Sequence, residues 1–583
     1  MKAQKIRKDL SKLKVKPNLA DYEKAYHTFS YEETKKEVEF VEGKLNAAYN
    51  AIERNAKNWR KNKIALYWKG EDESVKEFTF KELNEKANQF ANLLHEFNIG
   101  QGDRVFFFLS RIPELYFGFL GTLKRGAIAG TMFAAFGPQA IEDRLGNSQA
   151  RILITEPELF DRVKKIAHKL DHLETVLVTS EPQKVKHLKL HKQKVLSFSD
   201  ELSKMSSNYK TRMMDPDDPA FMLYTSGTTG KPKGVVHVHK AIILQHISAK
   251  YVLDLHDDDV YWCTADPGWV TGIAYEILGS WSNGASTVVY NGRFDADEWY
   301  KIIQDYKVTV WYTAPTAIRM LEAAGEKIIK KYDLSSLRYL ASVGEPLNPE
   351  PIRWGLKVFG LPFHDNWWQT ETGGILIANY PAMDIKPGSM GRPLPGIEAA
   401  IVDDKGKVLG PNKEGNLAIK PGWPSMMHAI WRRPQKYKSY FKNGWYISGD
   451  RAYRDRDGYF WFIGRADDVI KTSGERVGPF EVESALIEYP AIIEAGVIGK
   501  PDPLRGEIIK AFVKLKENVK PSNQLKEDIQ QFVKKHLAAH AYPREIEFID
   551  KLPKTRSGKI MRRLLKAKEL GLPIGDTSTL EEF

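Results

Sequence analysis

The sequence predicts an α/β protein: a large N-terminal domain of α/β subdomains plus a small β-barrel-like part, followed by a small α+β C-terminal domain. Three observations carry this prediction. Between residues 63 and 215, strand-like and helix-like stretches alternate at βαβ spacing, the mark of a mostly parallel sheet covered on both faces. From 390 to 465 the stretches become short strands divided by turn residues. At Ala466-Asp-Asp-Val-Ile-Lys471 that pattern breaks and a smaller mixed unit follows. We divide the chain into an N-terminal extension packed on the main domain (1–60), a large domain (61–465) and a small domain (466–583), with a hinge near Asp467.

Taken in order, 43–55 predicts a helix within the polar extension. A strand follows at 63–68, then a helix over 79–97 with Leu83, Ala87, Phe90, Ala91 and Leu94 on one face. The stretch 103–109 reads as a buried strand, a helix starts at Pro113, and 151–155 is the next strand. Further strands within 308–315 and 337–346, and one ahead of 364–374, each run into polar loops marked by Gly or Pro. In open α/β folds, ligands sit beyond the carboxyl ends of strands, so these loops are candidate site walls. The β-rich part has strands at 397–403, 415–420, 444–450 and 458–465. The small unit reads as helix 479–489, strands 493–498 and 507–515, helix 522–537, strand 544–549 and a last helix from 560. In its middle helix Leu525, Ile529, Phe532, Val533 and Leu537 share a face.

With 42% hydrophobic and 11% aromatic residues the chain builds large cores and is not disordered. Its 87 basic and 75 acidic residues give a net +12, but the bases are scattered among acids and form no nucleic-acid signature. We read the excess as a Lys-rich surface that in part serves a polyanionic ligand. The one cysteine, Cys263, excludes an intramolecular disulfide and a cysteine metal cluster, and reads as a core residue. The basic N-terminus lacks an apolar signal region, and the most apolar stretch, 116–136, is broken by Lys124-Arg125. The expectation is a cytoplasmic protein without a membrane or nucleic-acid partner. His237 and His239 are spaced to share a metal, but no third ligand accompanies them, and they read as polar residues at a strand end.

The densest chemistry lies in Tyr224-Thr-Ser-Gly-Thr-Thr-Gly-Lys-Pro-Lys-Gly234. Glycines let backbone N–H groups approach a ligand, and hydroxyls and lysines add donors and charge, which together cradle phosphates. A Walker A loop is excluded, because Gly230-Lys231 is followed by Pro232 and not by a metal-binding hydroxyl. Downstream come Asp266-Pro-Gly-Trp-Val-Thr-Gly272, the Val343-Gly-Glu-Pro346 turn, Trp367-Trp-Gln-Thr-Glu-Thr-Gly-Gly374, Tyr446-Ile-Ser-Gly-Asp450, the stretch 464–483, and Pro553-Lys-Thr-Arg-Ser-Gly-Lys559 with the bases that follow it.

These motifs, in this order over nearly the whole chain, resemble the adenylate-forming family, and within it the acetyl-CoA synthetases. The resemblance implies a two-step ligase: acetate attacks the α-phosphate of Mg²⁺-bound ATP, and the thiol of coenzyme A then displaces AMP. It implies that Thr225, Ser226, Gly227, Thr228, Thr229, Gly230 and Lys231 hold the distal phosphates. Gly344, Glu345, Pro346, Asp365, Asn366, Trp367, Trp368 and Gln369 would line the adenine pocket. Thr370 would meet the α-phosphate, Glu371 would ligate Mg²⁺, Asp450 with Arg465 would hold the ribose, and Arg476 would neutralise phosphate charge. Ile487, Tyr489 and Ile492 are further metal candidates on the same resemblance. Val270, Thr271, Val343 and Trp368 would form the acyl pocket, where an indole leaves room for acetate, propionate leaks through and butyrate is poor. Lys559 would enter the site for adenylation, and the mobile small domain would then turn about Asp467. Thr271, Ser473, Gly474, Lys534 and Arg162 would contact CoA, although the family more often has arginine where Lys534 stands. The resemblance also names an acetyltransferase and a deacetylase acting on Lys559 as partners. A propionyl- or other short-chain acyl-CoA synthetase is the alternative enzyme, and a non-catalytic basic binding protein the alternative of another class.

Overall fold

A computed structural model describes residues 4–227, 230–472, 475–537, 541–555, 560–574, 577 and 580, without the side chains at 226, 227, 230, 231 and 476. Two large sheets dominate. The first has seven strands in the order Phe363–His364, Tyr339–Ser342, Val310–Thr313, Val260–Cys263, Ser286–Asn291, Ile64–Gly70 and Val75–Thr79. All neighbours run parallel except the outermost pair. Its inner strands are buried at almost every position, as strands covered on both faces must be.

The second sheet has eight strands: Ala429–Ile430, Gly230–Val238, Pro219–Gly227, Ile128–Phe133, Arg104–Leu109, Ile152–Thr155, Thr175–Val178 and Lys194–Ser197. The Tyr224–Gly234 stretch therefore lies at the tip of an antiparallel hairpin, with Tyr224 opposite Gly234 and Thr225 opposite Lys233. The predicted helices cover the sheets. Phe80–Glu96 starts at a capping box in which Thr79 and Glu82 satisfy each other's backbone donors, and it buries Leu83, Phe90 and Leu94. Pro113–Arg125 opens on its proline and stops at Gly126.

The helix expected over 43–55 is shorter. Asn46 accepts the Ala48 N–H at 2.9 Å and caps a helix that runs through Tyr49–Glu53 in π form and on into Arg54–Ala56. Upstream, Leu45 bridges to Met214 and Val41 to Lys44, which holds that stretch extended. Ala47, Ala48, Ala51 and Ile52 are fully built into the main core.

The β-rich part is an antiparallel sheet of Ala399–Val402, Gly415–Ile419, Trp445–Arg454 and Phe441–Lys442, with Phe460–Arg465 also pairing along Trp445–Arg454. In the small unit, Gly506–Leu515 and Ile492–Asp502 pair antiparallel, Glu545–Phe548 lies parallel beside the first, and Pro479–Ile487, Asn523–His536 and Arg562–Leu570 are helical. Ile529 and Val533 are buried in its core, with Leu525, Phe532 and Leu537 against them. The sequence reading missed the short strands Ile470–Thr472 and Glu475–Val477, three residues each being too few to show alternation. The unit touches the large one through Phe462 against Phe480 and through the Asn348 Nδ2–Ser484 Oγ bond of 2.6 Å. Among the described residues no helix is long and apolar enough to cross a membrane.

Candidate active site

In the first sheet the strand order reverses beside Val260–Cys263: the chain steps to one neighbour, Ser286–Asn291, and then across to the other, Val310–Thr313. Such a switch point opens a crevice at the carboxyl ends of the strands. The loop that leaves Val260–Cys263 there carries Asp266, Val270 and Thr271. Asp266 turns it by accepting the Gly268 N–H at 2.7 Å, and Thr131 of the other sheet donates to the Pro267 carbonyl at 2.6 Å.

Beside this crevice, the loop Gln369-Thr-Glu-Thr-Gly-Gly374 is held through its carbonyls. That of Thr370 accepts from His237 Nε2 at 2.8 Å, that of Glu371 from the Met427 N–H at 2.9 Å. That of Thr372 accepts from Trp423 Nε1 at 2.9 Å and Ser425 Oγ at 2.7 Å, and that of Gly373 from Gln245 Nε2 at 3.0 Å. Four consecutive carbonyls thus find donors on three separate segments, which fixes the loop before any ligand arrives. Gly373 is obligatory: its φ is +67°, and a Cβ there would sit 2.2 Å from the Ser425 carbonyl. Burial holds His237 neutral, its pKa lowered to about 4 although the Thr370 carbonyl works the other way. His237 is thus a loop support, and His239, equally buried, accepts the Ala47 N–H.

The residues assigned to the nucleoside meet around Asp450. One of its oxygens faces Arg465 at 3.0 Å, and the other accepts from Trp367 Nε1 at 2.9 Å and Gln369 Nε2 at 3.0 Å. Tyr446 in turn donates to Gln369 Oε1 at 2.7 Å. Asn366 is fixed by Tyr312 at 3.0 Å and by the Ser342 carbonyl. Glu345, which leaves the turn of Gly344 and Pro346, accepts from Thr316 at 2.9 Å and Arg319 at 3.1 Å. Asp365 is buried; Oδ2 accepts the Leu347 N–H at 3.2 Å while Oδ1 has no protein partner. Burial pushes its pKa up to about 8.

The hairpin meets the loop at Glu371. Its Oε1 pairs with Lys233 at 2.8 Å and accepts from Tyr440 at 3.0 Å, and Lys233 also bonds the Tyr440 hydroxyl. Burial pushes the Glu371 carboxyl up, and the Lys233 ammonium more than offsets it, so the group is ionised. Lys233 and Tyr440 escaped the sequence reading as partners of this acid; a single tyrosine in a Lys-rich turn carries no motif. Thr225 places a buried Oγ1 without a protein partner near the hairpin tip. Thr228, Thr229, Ser473, Gly474 and Lys559 fall outside the described residues, as do the side chains of Ser226, Lys231 and Arg476.

Trp368 packs edge-on to Tyr275, ring centroids 5.0 Å apart, and touches both main cores. Val270 belongs to the first of these cores and Val343 to the second, so the indole packs against both. Thr271 is buried beside Val270. The other assigned residues have partners of their own. Arg162 donates to the carbonyls of Ala134 and Phe136, Lys534 is exposed over the Tyr542 ring, and Asp467 sits 3.9 Å from Arg465 in the turn before the small unit. Tyr489 meets Phe532 edge-on and Ile492 is buried; apart from the Tyr489 phenol, these residues and Ile487 offer a metal only carbonyl oxygens, and that of Tyr489 already accepts the Ile492 N–H at 3.0 Å. Among the described residues no three His, Cys, Asp or Glu gather as a metal cage.

Comparison with known proteins agrees with this layout. Residues 52–431 match the family described as AMP-binding enzyme, and residues 481–559 match the AMP-binding enzyme C-terminal domain. The chain is 57% identical to an acetyl-coenzyme A synthetase of Bacillus subtilis (strain 168), over 97% of this chain and 98% of that one. It is 43% identical to an acetyl-coenzyme A synthetase of Methanothrix thermoacetophila, over 93% and 85%. Among solved structures, the anthranilate CoA ligase AuaEII in complex with anthranoyl-AMP superposes with a TM-score of 0.84 at 32% identity, covering 93% of this chain and 99% of that one. With matches of this extent, built on a crevice whose strands, loop and clamp are those described above, the chain belongs to the AMP-binding enzyme family.

Proposed function

We propose the following division of labour for a chain that joins acetate to coenzyme A at the expense of ATP. An acetate oxygen attacks the α-phosphorus; the bond to the bridging oxygen breaks and pyrophosphate leaves. The CoA sulfur then attacks the acetyl carbon, gives up its proton, and AMP departs with the electron pair of the C–O bond. The observation that supports acetate as the acid is the Trp368 indole, packed on Tyr275 and against both the core that holds Val270 and the core that holds Val343.

Asp450 with Arg465 holds the ribose, and Asp365 Oδ1, an acceptor without a protein partner, suits an amino group of the adenine. The Thr225–Lys231 stretch takes the β- and γ-phosphates and Thr370 the α-phosphate, on the loop already locked by His237, Met427, Trp423 and Gln245. A preorganised donor set of this kind stabilises charge as it moves toward the leaving group. Glu371 fits Mg²⁺: it is a buried, ionised, hard oxygen donor whose contacts with Lys233 and Tyr440 both fall on Oε1. Mg²⁺ bound there would neutralise phosphate charge. Lys559 adds a point charge during the first step, and Arg476 supports it. Turning of the small domain about Asp467 then brings Ser473 and Gly474 to the thiol path, with Thr271, Arg162 and Lys534 along the CoA chain. Cytoplasmic residence, and acetylation of Lys559 as a control on the first step, belong to the same reading.

The test is ATP–pyrophosphate exchange with a panel of acids, with and without CoA. Exchange that needs acetate but not CoA, and AMP release that needs both, is the expected result. Failure of acetate to drive exchange would sink the reading.

A further inference from the structure

At the amino ends of the first sheet, opposite the active-site crevice, lies a polar cavity of about 430 Å³. It is bounded by the turns that lead into Val260–Cys263 and Ser286–Asn291, through Asp257 and Asn283, and by the capped helix that ends near Asn58. Arg54, Arg60 and Lys250 line it together with His246 and the carboxylates Glu37 and Asp257.

The charges are unevenly matched. Lys250 and His246 both take Glu37, at 2.7 and 3.1 Å. Arg60 takes Asp257 at 3.3 Å. Arg54 has only carbonyls, those of Glu37 and of Ser282, the latter at 2.5 Å, and no carboxylate lies within ion-pairing distance among the described residues. Arg60 repels it from close by, and burial together with that repulsion lowers its pKa to about 10. The wall is shaped for this second guanidinium: Gly284 has φ +78°, and a Cβ there would lie 2.6 Å from Arg60 Nε. Glu39 and Glu37 attract Arg54 only from beyond ion-pairing distance, and two guanidinium groups side by side, one with a buried Nε that has no partner, are costly unless an anion completes the set. Guanidinium pairs suit the tetrahedral oxygens of phosphate, and the volume exceeds what a lone oxyanion fills.

We propose that this cavity is a binding site for a phosphate-bearing small molecule, with Arg54, Arg60 and Lys250 as its cationic contacts. It is separate from the catalytic phosphate hairpin, which lies on the other sheet. Two elements nevertheless run from one site to the other. The helix Ala241–Tyr251 holds the Gly373 carbonyl through Gln245 and lines the cavity through His246 and Lys250. The helical run from Gly272 places Tyr275 against Trp368 and ends at Ser282 in the cavity wall.

Crystals grown without sulfate or phosphate and soaked in sodium selenate locate the site directly. An anomalous selenium peak among Arg54, Arg60 and Lys250 supports it; selenium found only elsewhere overturns it. In solution, calorimetric titration with sodium phosphate and with glucose 6-phosphate is compared for the unaltered chain, Arg60→Gln and Lys250→Gln. Each substitution should weaken binding about tenfold, equivalent to ~1.4 kcal/mol. A response confined to phosphate identifies a free oxyanion, and a tighter response to glucose 6-phosphate identifies a phosphorylated metabolite. Affinities unchanged in the folded variants refute the proposal, and if Arg60→Gln does not fold, Lys250→Gln and the selenate map decide.

Discussion

Replacing Trp368 with glycine tests the acyl wall most directly. The indole packs against both the core that holds Val270 and the core that holds Val343, and its edge contact with Tyr275 fixes its tilt. Without it, the space once occupied by the ring accepts a longer chain. Butyrate carries two methylenes more than acetate. At about 0.8 kcal/mol for each one buried they are worth about 1.6 kcal/mol, or about fifteenfold in kcat/KM. Relief of the steric exclusion adds about 10–200-fold for a misfitting methylene. The butyrate-to-acetate ratio of kcat/KM should therefore rise by at least about 100-fold. Because Trp368 is only partly buried, the stability cost should sit at or below the low end for removing a buried tryptophan, about 3 kcal/mol. A thermal melt separates loss of fold from change of pocket. CoA-dependent AMP release is measured with acetate, propionate, butyrate and hexanoate. A folded variant that retains the acetate preference of the parent would refute the placement of the indole in the acyl wall.

Three further outcomes follow from the same geometry. Asp450→Ala removes the acceptor shared by Arg465, Trp367 and Gln369, and at about 1.5–3 kcal/mol for a charged hydrogen bond the KM for ATP should rise tenfold or more, with acetate KM little changed; equal change in both would show a merely structural role. His237 and His239 stay neutral in the fold to about 4 and about 3 while an unfolded histidine protonates near 6.5, so the unfolded state binds more protons and stability falls as pH drops below 6.5. Each should account for about 2 kcal/mol of lost stability at pH 5, and denaturant melts of His239→Gln should show a shallower loss between pH 7.5 and 5 than the parent. Lys559→Gln should abolish acetate-dependent pyrophosphate exchange yet spare thioester formation from supplied acetyl-adenylate; full-rate exchange in that variant would contradict a role for its charge in the first step.

The strings that name the site were readable because each is a short run of consecutive residues. Trp367 to Gly374 and Tyr446 to Asp450 keep their functional atoms within a few residues, although the second run is part of the antiparallel strand Trp445–Arg454 and not a loop at the edge of a parallel sheet. What could not be read is the support. His237 reaches the Thr370 carbonyl across 133 positions, and Tyr440 reaches Glu371 across 69. Neither carries a pattern, since a histidine at a strand end and a tyrosine in a turn are ordinary until the fold brings them to a buried carbonyl or carboxylate. The π-form turn at Tyr49–Glu53 was invisible for a similar reason, since Asn46 sets its start through bonds to Ala48 and, from afar, to Leu123 and Arg212. The division has a physical consequence. Moved alone to another sheet, Gln369 to Gly374 would leave four carbonyls without donors, at about 1–3 kcal/mol for each one buried, which is enough to unmake the loop. The motif is therefore a consequence of its surroundings as much as a cause of the chemistry, and residues far from it in sequence should limit activity as strongly as those within it.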